Sequence, residues 1–203
     1  MINRLRELSA ATRELEATLR LGGGTDKADK QHKQGKLTAR ERVTQLMDAD
    51  SHFLELGLLV AHDRYDGQAP GAGVITGIAS VNGRECVIVA NDATVKAGAF
   101  FPMTCKKVLR AQRIATDNRL PLVYLVDSSG VFLPLQEEIF PDEDDFGRIF
   151  RNNAVISAQG IPQFAAIMGN CVAGGGYLPV LCDTLLMTEG SGQHRRGLTL
   201  CVR

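Results

Sequence analysis

The chain has 203 residues, of which 44% are hydrophobic, enough for one sizeable core with or without an extension. Its 23 basic residues balance its 23 acidic residues, so nothing in the charge points to a nucleic-acid or membrane partner. No apolar run approaches the roughly 20 residues that span a bilayer, and residues 1–8 lack the apolar segment of a secretory signal. We therefore expect a cytoplasmic protein.

The five cysteines form no CxxC pair, and no histidine stands at metal-ligand spacing from them. Most lie in or beside apolar segments, which is typical of small buried hydrophobic residues in a reducing compartment. We expect no metal site in this chain. The cysteines are Cys86, Cys105, Cys171, Cys182 and Cys201.

The first 47 residues predict two helices separated by a polar arm. Leucines recur at helical spacing over residues 2–21, and the helix stops at Gly22-Gly-Gly24. No strand precedes these glycines, which favours a helix stop over a phosphate-binding loop. Residues 25–35 are polar and basic and are interpreted as a linker. Residues 36–47 predict a second, short helix.

From residue 53 onward, short apolar runs alternate with turns and helices. Residues 73–81 and 85–90 predict a β-hairpin closed by Asn82-Gly83. Alternation of strands and helices predicts an α/β architecture. The later elements are a helix from Pro102 to Asn118, a strand at 120–126, a helix around 146–159, a strand at 162–168 and a helix from near Gly174.

The segment from Asn170 to Tyr177 carries three successive glycines directly after a buried strand. Without β-carbons, this backbone can pass close to a ligand. If a helix starts there, its first amide N–H groups have no acceptor within the helix and can serve a developing oxyanion. The alternative is that the glycines only allow tight packing of helix on strand. The glycines by themselves leave both interpretations open.

The sequence around the glycines resembles a known superfamily. Residues 167–183, which run from a strand through Gly-Gly-Gly to Cys182-Asp183, resemble the oxyanion segment of crotonases. Five further blocks resemble the carboxyltransferase β subunits of biotin-dependent acyl-CoA carboxylases, of the methylcrotonoyl-CoA or geranoyl-CoA type. These blocks are Gly35-Lys-Leu-Thr-Ala-Arg-Glu-Arg42, Asn91-Asp-Ala-Thr-Val-Lys96, Lys106-Lys-Val-Leu-Arg-Ala-Gln112, residues 118–127 and Phe140-Pro-Asp-Glu-Asp-Asp-Phe-Gly-Arg148.

The resemblance implies the N-terminal part of such a subunit, with an α/β fold of the ClpP/crotonase type built as a β-β-α superhelix. It divides the chain into a helical extension and linker at 1–35, an incomplete crotonase-like carboxyltransferase domain at 36–192, and an atypical tail at 193–203. The change of character after residue 192 suggests a truncated or frame-shifted reading frame.

The activity implied by the resemblance is transfer of a carboxyl group from carboxybiotin to an acyl-CoA such as methylcrotonoyl-CoA, with the enolate held by backbone amides. Biotin would be carried by a partner, the biotin carboxylase and carrier α subunit. The β subunits would form a homo-oligomer, arranged in the family as dimers within a hexamer. Two alternatives stay open: a non-catalytic fragment that binds acyl-CoA or assembles with partners, and another crotonase-fold enzyme, a hydratase or a decarboxylase subunit.

By the same resemblance, the oxyanion donors are the amides of Val131 and Gly174, with Gly175 adjacent. Two departures from the family bear on the site. Ala97 and Ser129 stand where the family often has glycine. Leu135 stands where arginine is common, which favours an apolar or branched acyl chain. The residues expected to bind CoA are Lys96, Gly98, Lys106, Lys107, Gly130 and Tyr177.

Overall fold

The computed structural model describes residues 2–191, so the tail at 193–203, with His194 and Cys201, lies outside the described residues. The helices are α1 (Ile2–Arg20), α2 (Thr25–Lys33), α3 (Ala39–Leu46), α4 (Pro102–Asn118), α5 (Asp145–Ala158) and α6 (Gly174–Val180). The strands are β1 (Leu54–Leu56), β2 (Val74–Val81), β3 (Arg84–Asn91), β4 (Leu122–Ser128), β5 (Gln163–Cys171) and β6 (Thr184–Met187). Short 3-10 turns lie at Tyr65–Gly67, Pro70–Gly73, Lys96–Gly98 and Leu133–Glu138.

The six strands form one mixed sheet in the order β1-β2-β3-β4-β5-β6. The first three are antiparallel, and β3 to β6 pair in parallel. The predicted hairpin is confirmed: β2 and β3 pair from Val74↔Asn91 to Val81↔Arg84 around Asn82-Gly83, both with positive φ. Because β3, β4 and β5 run in parallel, the segments that follow them meet at one edge of the sheet.

Each face of the sheet is covered by helices, since alternate residues of a strand point to opposite sides. On one face, α4 and α5 pack over Val89, Tyr124 and Ala165 in the larger core cluster. On the other face, Ala39 and Val43 of α3 pack against Ile88 and Leu125. This layered arrangement confirms the predicted α/β architecture with a helical N-terminal part.

The prediction of a linker at residues 25–35 is wrong, because helix α2 spans Thr25–Lys33. Gly24 at φ 93° and Gly35 at φ 71° bound it on either side. No described residue of α2 is buried, so the helix has no apolar face by which a periodic pattern could reveal it. Its lysines, glutamine and alanine are good helix formers, which accounts for a helix at this position.

The cysteines of the described region are free thiols. Cys86 and Cys105 are buried and Cys171 and Cys182 half-buried, in line with the expected small hydrophobic role. Burial raises the pKa of Cys171 to about 11 and that of Cys182 to about 12. In residues 2–191, no three histidine, cysteine or acidic side chains come together as a metal site. No helix over the same range is long and apolar enough to cross a bilayer.

Candidate functional site

Two turns, residues 127–131 and residues 170–177, lie side by side where β4 and β5 end, and the second is the glycine turn. The carbonyl oxygen of Ser128 accepts the N–H of Val172 at 3.2 Å, and the Ser128 hydroxyl oxygen accepts the N–H of Gly130 at 3.1 Å. A β-carbon on Gly175 would lie 3.5 Å from the Cα of Gly130. Gly130 itself has φ +90°, a conformation that favours glycine. The structure therefore brings together the two segments that the sequence singles out.

The backbone amides of these turns differ in whether they are free. The N–H of Gly175 donates to the carbonyl oxygen of Val172 at 3.0 Å, and that of Gly176 donates to Ala173 at 2.9 Å. Within residues 2–191, the N–H groups of Val131 and Gly174 make no hydrogen bond. Gly175, expected beside Gly174 as a donor, is therefore committed to the turn itself. Val131 and Gly174 keep free N–H groups among the amides expected to act as donors.

A third segment, the 3-10 turn Lys96–Gly98 after β3, closes the site from the other side of β4. The carbonyl oxygen of Ala97 accepts the N–H of Ser129 at 3.0 Å. Phe100 then forms a bridge to Val131: its N–H donates to Gly130 at 2.8 Å, and its carbonyl oxygen accepts from Phe132 at 2.9 Å. These bonds use the backbone of both neighbours of Val131, which fixes the peptide on which its free N–H lies.

Aromatic side chains support the glycine turn from inside the core. A β-carbon on Gly174 would lie 3.1 Å from Cε2 of Phe146, so the turn rests directly on that buried ring. Phe146 in turn packs against Phe100 and Phe150, with ring centroids 4.8 and 5.2 Å apart. Tyr177, expected at the CoA site, lies on α6 with 59% of its surface exposed. The sequence pattern does not predict this aromatic support.

A basic groove of about 530 Å³ runs beside the two turns. Its cationic side chains are Lys27 and Lys30 of α2 and the predicted Lys96, and none of the described residues that line it is acidic. Asn170 and Ala97 belong both to this lining and to the turn segments. Lys27 and Lys30 were missed because α2 was interpreted as a linker; only its basic composition pointed to them. The remaining lining is Gly22, Gly23, Gln31, Gln34, Gly67, Gln68, Pro70, Ala93, Thr94 and Val95.

Lys106 and Lys107 do not line this groove but a separate cavity of about 170 Å³, together with Arg110. Lys107 is buried, and its ammonium donates to the carbonyl oxygens of Gly71 and Val74 at 2.9 and 2.6 Å. Burial lowers the pKa of Lys107 to about 8. Its side chain is thus occupied within the protein, whereas that of Lys106 is exposed. Of the residues expected to bind CoA, Lys96, Gly98 and Gly130 therefore adjoin the turns. Lys106 and Lys107 lie at the separate cavity.

Leu135, which stands where the resemblance implies an arginine, is half-buried. It packs in a small cluster that includes Phe101 and Phe132. The apolar residue therefore completes internal packing after the turn that carries Val131.

The family described as "Carboxyl transferase domain" matches residues 30–195 of the chain. A curated relative, the biotin-dependent 3-methylcrotonyl-coenzyme A carboxylase beta1 subunit of Mycobacterium tuberculosis, is 56% identical over 171 residues. That alignment covers 84% of this chain and 32% of the relative.

Two solved structures share the fold. The beta subunit of P. aeruginosa geranyl-CoA carboxylase superposes with a TM-score of 0.71 at 36% identity, covering 91% of this chain and 33% of that one. Transcarboxylase 12S, crystallised with methylmalonyl-coenzyme A and methylmalonic acid, gives a TM-score of 0.83 at 31% identity, covering 97% and 38%. These neighbours confirm the predicted crotonase-like fold. The chain spans about a third of the length of the relatives that it matches.

Proposed function

The chain belongs to the carboxyl transferase domain family of biotin-dependent acyl-CoA carboxylases, and on that premise we propose that it forms the acyl-CoA-binding half of a carboxyltransferase. Its substrate is a methylcrotonoyl-CoA-like thioester, and the reaction moves a carboxyl group onto the acyl chain. We assign the domain to residues 36–192, with residues 1–35 as an extension that contributes to the CoA groove.

The free amides of Val131 and Gly174 are the observation that carries this proposal. Loss of a proton from an acyl-CoA puts negative charge on the thioester oxygen, and two fixed N–H donors stabilise that charge in the transition state. The donors lie on turns held by neighbouring backbone bonds and by Phe146. They therefore need little rearrangement when the charge develops. No side-chain base is required of this chain, because the residues here only bind and orient the thioester.

The basic groove is the path proposed for the CoA moiety. CoA carries a diphosphate and a 3′-phosphate, and lysines provide cations for such groups. Lys27, Lys30 and Lys96 converge on the groove, and Asn170 links it to the glycine turn. We place the phosphates among these lysines and direct the thioester end toward Gly174.

We place biotin at the open side of the turn, where Ala173 and Tyr177 are exposed to solvent. When bound as carboxybiotin on a partner protein, it would supply the carboxyl group and take up the substrate proton. The proposal therefore includes a biotin-carrying α subunit and a homo-oligomer of β subunits as partners.

Binding of CoA measured by calorimetry tests the groove. We expect the chain to bind CoA, and the Lys96→Ala variant to bind it several-fold more weakly, on the order of 1 kcal/mol for one phosphate contact. Lys106→Ala is the matched control, since that lysine lines the other cavity, and it should bind as the wild type does. Equal losses in both variants, or in neither, would place CoA elsewhere.

Catalysis is tested by adding carboxybiotin to the chain with a panel of acyl-CoA thioesters, including methylcrotonoyl-CoA, and assaying carboxylated product. Product from one thioester supports a carboxyltransferase and identifies the acyl group. Binding without product supports the alternative of an acyl-CoA-binding fragment. Absence of both binding and product would overturn the proposed function.

A further inference from the structure

A buried ion pair lies at the base of the two turns. Arg42 of α3 and Asp127 of β4 are each 3% exposed at the side chain, and Arg42 Nη2 donates to Asp127 Oδ2 at 2.9 Å. The other carboxylate oxygen, Oδ1, accepts the backbone N–H of Asn170 at 3.0 Å. Arg42 Nη2 also reaches the carbonyl oxygen of Met168 at 3.4 Å. One carboxylate thus joins α3 to the ends of β4 and β5.

The hydrogen bond between Asp127 and Asn170 lies close in sequence to the free amides of Val131 and Gly174. Asp127 stands four residues before Val131, and Asn170 stands four residues before Gly174. The hydrogen bond from the Asn170 N–H to the Asp127 carboxylate therefore joins the two segments at the same number of residues before each free N–H. Gly169 leaves no room for a β-carbon beside the carboxylate, so the close packing restricts where the carboxylate can lie.

A gain in stability does not by itself explain why a buried ion pair lies at this place. Removing two charges from water is costly, and apolar side chains of similar volume often stabilise a core as well as a buried ion pair does. An apolar pair could not accept the Asn170 N–H, however. Lys36 Nζ, 3.8 Å from Asp127 Oδ2 and partly exposed, adds a second cation at the solvent side. Both cations therefore pair with Oδ2, while Oδ1 accepts the Asn170 N–H.

We propose that Arg42 and Asp127 are positioning residues that set the relative placement of the Val131 and Gly174 amides. Asp127 fixes the Asn170 peptide, and Arg42 fixes the orientation of Asp127 and anchors it to α3. Neither side chain acts on the substrate itself. This inference rests on the proposed function of the two amides as oxyanion donors.

The test uses a CoA derivative whose acyl group is replaced by a nitronate, an anionic mimic of the enolate, with CoA alone as reference. The wild-type chain should bind the nitronate more tightly than CoA. In Arg42→Met that preference should fall about tenfold while affinity for CoA changes by less than about twofold, because only the spacing of the donors is disturbed. Arg42→Lys, which keeps the charge, should restore part of the preference.

Arg40→Met is the matched control. Arg40 lies in the same helix and pairs with Glu55 at 2.7 Å, without contact to either turn, so its loss should leave the nitronate preference unchanged. A folded Arg42→Met chain with the full wild-type preference would overturn the inference. If Arg42→Met does not fold by circular dichroism, Asp127→Leu decides, because leucine cannot accept the Asn170 N–H: a retained preference overturns the inference and a reduced one supports it. No nitronate preference in the wild type would instead overturn the oxyanion site, and this inference with it.

Discussion

Gly98 packs against the carbonyl oxygen of Asp127 so closely that a β-carbon at residue 98 would overlap that oxygen. The contact joins the turn after β3 to the end of β4, where the Val131 segment begins. Gly98 also has φ +69°, which disfavours any other residue on conformational grounds. The close contact and the backbone conformation therefore both favour glycine at residue 98.

Replacing Gly98 with alanine should lower the free energy of unfolding by about 3 kcal/mol or more, since backbone must move to admit the methyl group. Gly83→Ala is the control, because Gly83 has a similar φ of +74° but open space around its Cα. It should cost only about 1–2 kcal/mol of conformational strain. Urea denaturation of both variants measures the difference, and equal losses would show that the Asp127 contact is unimportant.

Ala97 has φ 55°, a left-handed conformation that favours glycine. Ala97→Gly should raise the free energy of unfolding by about 1 kcal/mol through relief of that strain. The partly buried Ala93, which is not among the residues with positive φ, provides the comparison. Ala93→Gly should destabilise by roughly 0.5–1 kcal/mol. Loss of stability in both variants, by urea denaturation, would contradict the prediction.

Gly174 is proposed to act through its N–H, and proline is the residue that lacks one. Gly174→Pro should weaken binding of the nitronate-ended CoA by about 100-fold, in line with the loss of one oxyanion donor. Gly174→Ala adds a methyl group near Phe146 but keeps the N–H. It should lose less than about tenfold. Similar losses in the two variants would mean that space at residue 174, and not its amide, governs binding.

Lys107 should make stability depend on pH above neutrality. Burial lowers its pKa to about 8 from the ordinary 10.5. The folded chain therefore binds fewer protons than the unfolded chain between these values, and this group makes stability rise as pH increases. Its contribution from pH 8 to pH 10 is about 2 kcal/mol.

The measurement is the free energy of unfolding in urea at pH 8 and pH 10, taken as the difference between variant and wild type. Lys107→Met should remove the rise attributed to this lysine. Lys106→Met, at a neighbouring lysine with a 61% exposed side chain, should follow the wild type. An unchanged pH dependence in Lys107→Met would refute the lowered pKa.

The elements that the sequence predicts best carry strong local signals. Asn82-Gly83 marks the hairpin because both residues must adopt positive φ, and the structure has this conformation at both. The helix predicted from Pro102 to Asn118 has those bounds in the structure, since proline suits the first turn and Arg119 then leaves the helical conformation. Such signals depend on a few neighbouring residues.

Features that depend on distant parts of the chain were not predictable in this way. Lys106 and Lys107 are adjacent in sequence, yet only Lys107 turns inward, toward carbonyl groups of residues 71 and 74. The basic pattern of the helix does not show which of the two lysines is buried. Likewise, three successive glycines do not indicate which amide is free; that depends on Val172 accepting the N–H of Gly175.

The partners of Asp127 also have a consequence for biosynthesis. Arg42 precedes Asp127 by 85 positions, and Asn170 follows it by 43. A chain emerging from the ribosome therefore contains Arg42 and Asp127 well before the segment that completes their arrangement. Contacts over such separations close slowly. The spacing between the two turns is consequently set late, after most of the sheet has been translated.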